Sequence, residues 1–315
     1  MTPRYYIILI LFFLFGISAT GCFAQNRFTH PGFSQFDTDF STFSIEPGEI
    51  LPGGPPKDGI PALTNPDFVS ITGEYYDPET LGVFINAGDE RKFYPYNILV
   101  WHEIVNDRIG GQELAITFCP LCGSAMVFDR TIDGVTYEFG VSGYLYQSNM
   151  LMYDRQTDSF WSQTLGEAVV GELTGTQLDL AMFQLLTFDD VKMRYPDTKI
   201  LSRNTGHNRN YTRYPYGNYD DNDELFFPVR TVDDRHHPKK MMYIIRVEGR
   251  SLAFDPNLAA NGAVQKTVEG TEVIIRREGN ELFASVDGEP TPGYWEMWFS
   301  WAIHHRESGI VWDTD

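Results

Sequence analysis

Cys119 and Cys122 are three positions apart in the stretch AITFCPLCGSAMVFDR, residues 115–130. In such a Cys-Pro-x-Cys-Gly arrangement the proline narrows the turn, the spacing directs both sulfurs at one point, and the glycine permits a positive φ. The pattern therefore suits a transition metal bound by Cys119 and Cys122. A closed tetrahedral site needs two further ligands, and histidines or carboxylates would have to supply them because there is no second cysteine pair.

The same spacing suits two other chemistries. A Cys-x-x-Cys pair can cycle between dithiol and disulfide, and the first cysteine is usually the nucleophile of lower pKa. The segment GSAMVFDR after the pair has the pattern of a strand, so the helix dipole that assists thioredoxin-like cysteines is not expected here. A static disulfide that closes the turn is the third interpretation, and so small a loop adds little stability. The residues alone leave all three interpretations open.

Two residues with acid–base capacity precede the cysteines in WHEIVND, residues 101–107. His102 is next to Glu103, and a histidine close to a carboxylate can transfer protons or bind a metal. We therefore assign Cys119, Cys122, His102 and Glu103 to a candidate catalytic set, and Cys119, Cys122 and His102 to a candidate metal set. A helical turn or strand end with satisfied polar groups is the alternative for WHEIVND.

Residues 142–173 interleave aromatic side chains with side chains that form hydrogen bonds. This composition suits the wall of a binding pocket, and we predict that Arg155, Trp161 and Ser162 bind a substrate. A core of strands with polar edges would have the same composition, so this alternative also stays open.

The first 24 residues have the pattern of an export signal. Arg4 precedes an apolar run that is shorter than the ~20 residues needed to cross a bilayer, and small residues follow it. Two cleavage sites compete: a lipoprotein-type site at Cys22, and a site after Ala24 that releases a soluble protein. Both predict a location in the periplasm or cell envelope, with membrane contact only through the signal or a lipid anchor.

Composition and charge restrict the class of protein. Hydrophobic residues make up 42% of the 315 residues and aromatic residues 15%, which predicts a folded body. A net charge of -19 repels phosphate backbones, so we expect no nucleic-acid partner. Removal or lipidation of Cys22 leaves only two cysteines in the body, too few for a disulfide scaffold.

Local patterns predict short strands with few helices. A Pro/Gly-rich tether is expected at residues 25–58, whose phenylalanines could still pack on the body. One helix is predicted in TFDDVKMRYPDT, with Thr187 as N-cap and Pro196 as its stop. The strand predictions are GVFINAGDERKFYPY as a hairpin, ELAITFC and AMVFDR as strands flanking the cysteines, and VTYEFGVSGYLY as a strand with a bend at glycine.

An imperfect internal repeat relates two parts of the chain. Residues 82–99 align with 242–259, and 104–120 align with 263–279. We predict a β-rich α+β fold in which two related antiparallel β-modules form one composite domain, residues 59–315. The second copy lacks the cysteine pair, so the pair is not needed to form the module, and this favours a functional role.

Several motifs together resemble the bacterial domain-of-unknown-function family 3179: DGIPAL, YPYNILVWHEIVND, TFCPLCGSAMVFDR, FGVSGYLYQSNMLMYDRQTDSFWSQTLGEAV and FSWAIHHRESG. The resemblance extends from about residue 59 to the end and implies an exported bacterial protein, but no activity. The family includes members with selenocysteine in the C-P-L-C motif, which implies that Cys119 or Cys122 occupies a chemically active position. The sequence departs from the family pattern at Tyr144, where an aliphatic residue is expected.

The leading hypothesis is an exported thiol-dependent oxidoreductase or redox-active metal-thiolate protein that acts on an unknown small molecule or redox partner. Cys119 is the predicted reactive sulfur, and Cys122 resolves or co-ligates. The alternatives are a non-enzymatic cell-surface binding module with an aromatic-lined pocket, and a metal carrier. Cysteines buried away from solvent would favour the binding module.

Overall fold

The computed structural model describes residues 28–260 and 262–314. The predicted export signal, including Cys22, lies outside the described residues. Within the described ranges, no helix is both long enough and apolar enough to cross a membrane.

The described chain contains 24 short strands and three α-helices. The helices are α1 (Tyr96–His102), α2 (Phe188–Arg194) and α3 (Trp298–His304). The strands of the first half are β1 (Ile50–Pro52), β2 (Leu63–Thr64), β3 (Phe68–Ser70), β4 (Leu81–Ala87), β5 (Glu90–Pro95), β6 (Ile104–Ile109), β7 (Gln112–Cys119), β8 (Ser124–Asp129), β9 (Thr131–Ile132), β10 (Val135–Thr136), β11 (Phe139–Tyr146) and β12 (Asn149–Asp154). The remaining strands are β13 (Phe160–Ser162), β14 (Glu167–Val170), β15 (Gln184–Thr187), β16 (Lys199–Leu201), β17 (Met241–Val247), β18 (Arg250–Phe254), β19 (Ala263–Val268), β20 (Thr271–Glu278), β21 (Glu281–Val286), β22 (Glu289–Thr291), β23 (Gly293–Met297) and β24 (Ile310–Trp312).

Several local predictions are confirmed. Strands β4 and β5 form the predicted hairpin, and β7 and β8 flank the cysteines. Helix α2 begins after Thr187, whose side chain accepts a hydrogen bond from the backbone N–H of Asp190, as expected of an N-cap. The bend in β11 is a register shift between Val141 and Tyr144.

The strands form five sheets of four or five strands and one two-stranded ribbon, in an arrangement similar to the blades of a β-propeller. The predicted β-rich character is therefore confirmed. Two of these sheets bear on the cysteines: one contains Cys119, and the other contacts Cys122 through Asn149. We call β2-β6-β7-β8 the cysteine sheet and β1-β11-β12-β13-β14 the aromatic sheet.

Four neighbouring strands follow the same order in two further sheets, one of which has β3 as a fifth strand. In β15-β4-β5-β16, β15 is antiparallel to β4 and β16 is parallel to β5. In β23-β17-β18-β24, β23 is antiparallel to β17 and β24 is parallel to β18. A helix follows the first strand of each sheet, α2 after β15 and α3 after β23. The aligned segments 82–99 and 242–259 therefore lie on strands in equivalent positions of the two sheets.

Residues 28–58, which we call the N-terminal strap, pack along the aromatic sheet. Phe28, Phe33 and Phe36 are buried in one cluster with Tyr144 and Phe160 of that sheet. Strand β1 also pairs with β11. The segment predicted as a tether is thus part of the packed body in its described portion.

The largest hydrophobic cluster lies between the two halves of the chain. It contains both cysteines together with Trp161 of the aromatic sheet and Trp298 and Trp301 of α3. The cysteine turn is therefore held by packing from elements far apart in sequence.

Candidate functional site

The cysteine turn connects two antiparallel strands. Cys119 ends β7, a single 3₁₀ turn spans Pro120–Cys122, and β8 begins at Ser124, which pairs with Cys119. Gly123 has φ 58°, and a Cβ there would lie 3.2 Å from Met241 Sδ. Both the left-handed backbone and the close contact explain the glycine of the motif.

Both cysteines are free and buried, with exposed fractions of 1% for Cys119 and 0% for Cys122. Their sulfurs are 3.3 Å apart, and the Cys119 thiol donates to Cys122 Sγ. Formation of a disulfide of about 2.05 Å would require the sulfurs to approach by about 1.3 Å. Burial raises the pKa of the Cys119 thiol well above its ordinary value, and the contact with Cys122 raises it further. The Cys119 thiol is therefore neutral at pH 7.

A cavity of about 80 Å³ lies beside the first cysteine. Among the described residues, Cys119 lines this cavity and Cys122 does not. The polar groups in the wall include Glu103 and Tyr216, and most of the remaining wall is apolar: Ile60, Pro120, Leu121, Val141, Leu145, Met150 and Phe227. The two sulfurs thus have different environments.

Glu103 is the predicted acid–base residue that the structure places at this cavity. It caps the C-terminus of α1 with φ 58°, and its carbonyl accepts a hydrogen bond of 2.7 Å from the N–H of Phe118. Its Oε1 accepts a hydrogen bond of 3.2 Å from the Tyr216 hydroxyl. Burial raises the pKa of Glu103 to about 7, so this carboxyl can either take up or release a proton near neutral pH.

His102 makes contacts that occupy both of its ring nitrogens. Nδ1 lies 2.7 Å from the carbonyl of Pro61 and Nε2 lies 2.7 Å from the Tyr211 hydroxyl. Because a carbonyl only accepts, Nδ1 carries the proton. Burial lowers the pKa of His102 to about 4, so the ring is neutral at pH 7. In this arrangement His102 has a structural role, because its ring binds the hydroxyl of Tyr211.

The predicted metal ligands are not brought together as a set. Within the part of the chain that the structure describes, no group of three or more His, Cys, Asp and Glu side chains could hold a metal ion. Cys119 and Cys122 lie together, but His102 is engaged elsewhere. Among the described residues the cysteine pair and His102 form no shared cluster, and the metal set stays a prediction.

The predicted substrate-binding residues also lie away from the cavity. Arg155 forms surface ion pairs with Asp58 and Glu138. Trp161 is buried in the core, and its Nε1 donates to Asp154 Oδ2 at 2.9 Å. Ser162 is buried on β13 and accepts a hydrogen bond from the N–H of Leu165. Here the alternative interpretation, a strand core with polar edges, describes the segment better.

A buried polar network that the sequence interpretation did not assign surrounds Cys122. Asn149 donates to Cys122 Sγ at 3.4 Å and to Gln163 Oε1 at 3.1 Å. Gln163 also accepts from Ser124 and donates to Thr117. The runs of three polar residues next to apolar strand residues in YQSNMLM and FWSQT were the signal that could have identified Asn149 and Gln163.

The connection between β16 and β17, which we call the tyrosine loop (residues 202–240), covers this region. Three of its hydroxyls bind the site: Tyr211 contacts His102, Tyr216 donates to Glu103, and Tyr219 donates to the carbonyl of Leu121 at 2.9 Å. Through Tyr216 and Tyr219 this one loop contacts both Glu103 and the cysteine turn.

A larger apolar cleft of about 830 Å³ lies against another face of the cysteine turn. Pro120 and Gly123 line it, together with the aromatic side chains of Tyr96, Phe118 and Trp295. This volume is within the range of small-molecule sites.

These features define a β-rich α+β protein with a buried, paired cysteine turn. Its sequence matches, over residues 57–308, the profile of the family described as "Protein of unknown function (DUF3179)". The chain belongs to this family, as the sequence motifs predicted. Comparison with curated proteins and with solved structures gave no match.

Proposed function

We propose that this protein is a thiol-dependent redox protein whose Cys119–Cys122 pair cycles between dithiol and disulfide. The observation that carries the proposal is the pair of free sulfurs 3.3 Å apart, one of which lines a cavity shared with Glu103. A fixed turn that already holds both sulfurs in contact needs little rearrangement to close.

Glu103 would serve as the proton acceptor for this chemistry. Oxidation of a dithiol releases two protons, and a thiol of raised pKa reacts only after it loses its own. Glu103 lines the same cavity as Cys119, and burial raises its pKa to about 7. The amide of Asn149 donates to Cys122 Sγ and would stabilise negative charge on that sulfur.

Export to the periplasm or cell envelope is part of the same proposal. It is supported by the signal pattern of residues 1–24. Such compartments allow disulfides to form and persist.

We also propose that residues 59–315 form one composite domain of two related β-modules. The matched strand orders β15-β4-β5-β16 and β23-β17-β18-β24 support this relationship. In the first module Cys119 ends β7 and Cys122 lies in the four-residue turn that leads to β8. The equivalent turn between β20 and β21 is only Gly279–Asn280. The cysteine turn would then be an addition to a shared module.

The test is a redox titration of the chain from Gln25 onward, which contains every described residue. The protein is held in thiol buffers of graded potential until its thiol content no longer changes. It is then quenched in acid, and its free thiols are counted under denaturing conditions. We expect both thiols to be lost together and recovered on reduction, while Cys119→Ser and Cys122→Ser variants form no internal disulfide. A pair that stays reduced at every potential, with the protein folded, contradicts the proposal.

Metal analysis of the same preparation tests the metal-thiolate alternative. If the protein contains stoichiometric metal and a Cys119→Ser/Cys122→Ser double variant does not, the cysteines form a metal-thiolate or metal-carrier site. The dithiol function would then be wrong. A purely redox pair predicts no such metal.

The burial of both cysteines favours a second candidate, a non-enzymatic binding module. The apolar cleft lined by Tyr96, Phe118 and Trp295 would be its binding site. A ligand whose affinity is unchanged in the Cys119→Ser/Cys122→Ser variant, combined with an inert pair, would support this candidate over the redox function.

A further inference from the structure

We propose, building on the redox function above, that the oxidant of the pair is a small hydroperoxide that enters the cavity beside Cys119. Hydrogen peroxide is the simplest member of this class. The size of the cavity, its polar groups and the different surroundings of the two sulfurs each support the assignment.

The cavity excludes large oxidants. A cavity of about 80 Å³ is far below the roughly 300–1,000 Å³ of sites for drug-sized ligands, so it has room for a peroxide and too little for a peptide disulfide. Thiol–disulfide exchange requires a partner sulfur to approach the attacking thiolate directly. With exposed fractions of 1% and 0%, neither cysteine is accessible to such a partner in this arrangement.

The cavity also contains groups that suit a peroxide. Glu103 and Tyr216, hydrogen-bonded to each other, lie in a wall that is otherwise largely apolar. A carboxyl and a hydroxyl can hold the two oxygens of a peroxide and can shuttle one proton between them. A longer substrate with many polar groups would leave those groups unpaired against Val141, Leu145 and Phe227.

The two cysteines have separate roles in the resulting reaction. Cys119 transfers its proton to Glu103, and its sulfur attacks one oxygen of the hydroperoxide, so that an S–O bond forms and the O–O bond breaks. Glu103 returns the proton to the departing oxygen, which leaves as water or an alcohol. Cys122 then attacks the sulfenic sulfur of Cys119, the S–O bond breaks, and the oxygen leaves as water with the proton of Cys122. The pair loses two electrons and the peroxide gains them.

The order of attack follows from the surroundings of each sulfur. Cys119 lines the cavity, whereas Cys122 Sγ accepts from Asn149 and lies 3.4 Å from the carbonyl of Ser148, to which its thiol donates. Cys122 is therefore the resolving cysteine, and it is already 3.3 Å from the sulfur it must attack.

The first experiment mixes the reduced chain from Gln25 onward with one equivalent of hydrogen peroxide or of glutathione disulfide. We expect hydrogen peroxide to consume both thiols and glutathione disulfide to react at least tenfold more slowly. Comparable or faster oxidation by glutathione disulfide would overturn the peroxide assignment but leave the redox function intact. If neither reagent oxidises the thiols and the redox titration is also negative, the peroxide assignment and the redox function are both wrong.

Cysteine variants test the order of attack. In Cys122→Ser, peroxide should produce a sulfenic acid at Cys119 that dimedone traps and mass spectrometry locates. In Cys119→Ser, no adduct at Cys122 is expected. An adduct that forms on Cys122 as rapidly as on Cys119 contradicts the assignment.

A cavity variant tests the size argument in a protein that keeps both thiols. Leu145→Ala enlarges the cavity and should raise the rate with tert-butyl hydroperoxide relative to hydrogen peroxide by about tenfold. Leu282→Ala is the matched control, because Leu282 has the same exposed fraction of 7% and lies in a different hydrophobic cluster. An equal effect of the two substitutions would show general loosening of the fold and would refute the cavity as the entry site.

Discussion

Burial controls the ionisation of the residues around the cysteine turn. It raises the pKa of Glu103 to about 7 and lowers the pKa of His102 to about 4, since each side chain loses solvation of its charged form. The sequence interpretation assigned both neighbours to the candidate catalytic set, and His102 also to the candidate metal set. In the structure, Glu103 lines the cavity, whereas His102 is a neutral ring with both nitrogens engaged.

A second buried carboxyl gives a prediction about pH. Burial raises the pKa of Glu296 from 4.5 to about 7, and the side chain accepts hydrogen bonds from Thr164 and Ser300. The folded state holds this proton more tightly, so the stability it contributes is complete below about pH 4.5 and is lost as pH rises through 7. Glu296→Gln should therefore gain about 2 kcal/mol in unfolding free energy relative to the wild type between pH 5 and pH 8.

Urea denaturation of both proteins at the two pH values measures this difference. The exposed Glu289 provides the control, and Glu289→Gln should change the unfolding free energy equally at both pH values. A Glu296→Gln effect that does not depend on pH would show that this carboxyl is ionised in the folded protein.

At the scale of elements, the bulge in β11 brings the N-terminal strap close to the cavity. The register shifts between Val141 and Tyr144, and Gly143 in the bulge has φ 81°. A Cβ on Gly143 would lie 2.2 Å from the carbonyl oxygen of Pro55, in the strap. The bulge therefore needs glycine for both its backbone conformation and the passage of the strap.

Gly143→Ala separates these two requirements when it is compared with Gly134→Ala. Gly134 has φ 80°, but no atom lies within 4 Å of its Cβ position. We expect Gly134→Ala to lower the unfolding free energy by about 1–2 kcal/mol, and Gly143→Ala to lower it by about 2 kcal/mol more. Chemical denaturation measures both values, and equal losses would mean that the strap can move away without cost.

At the scale of the whole molecule, the strap belongs to the folded core. Phe33 is 5% exposed, stacks on Tyr144 at 4.3 Å between ring centroids, and packs against Phe160. The Tyr144 hydroxyl also contacts His30 at 2.6 Å. Tyr144 therefore anchors the strap on the aromatic sheet.

Phe33→Ala should lower the unfolding free energy by about 3–5 kcal/mol, because it leaves a cavity against the aromatic sheet. Phe226 is 52% exposed, and Phe226→Ala should cost less than about 1 kcal/mol. Thermal and chemical denaturation compare the two variants. A small loss at Phe33 would show that the strap is a dispensable tether.

One part of the site could have been predicted from the sequence by strand register. The hairpin of β6 and β7 turns at Gly110 and Gly111, both with positive φ, and pairs Ile104 with Thr117. That register alone places Glu103 beside Phe118 and next to the first cysteine. Register is determined by local turn geometry and alternating burial, so it was accessible from the sequence.

The sequence by itself determined the family, the β-rich class, the hairpin of β4 and β5 and the capped helix α2, because each depends on short-range patterns. Only the tertiary structure showed that Asn149 contacts Cys122 across 27 positions, that Tyr216 binds Glu103 across 113, and that His102 faces Tyr211. Such contacts arise when sheets and loops pack into one core. Many pairings of polar side chains are compatible with the same sequence periodicity. The pairing that forms is the one that fills the core without voids and satisfies the buried hydrogen-bonding groups.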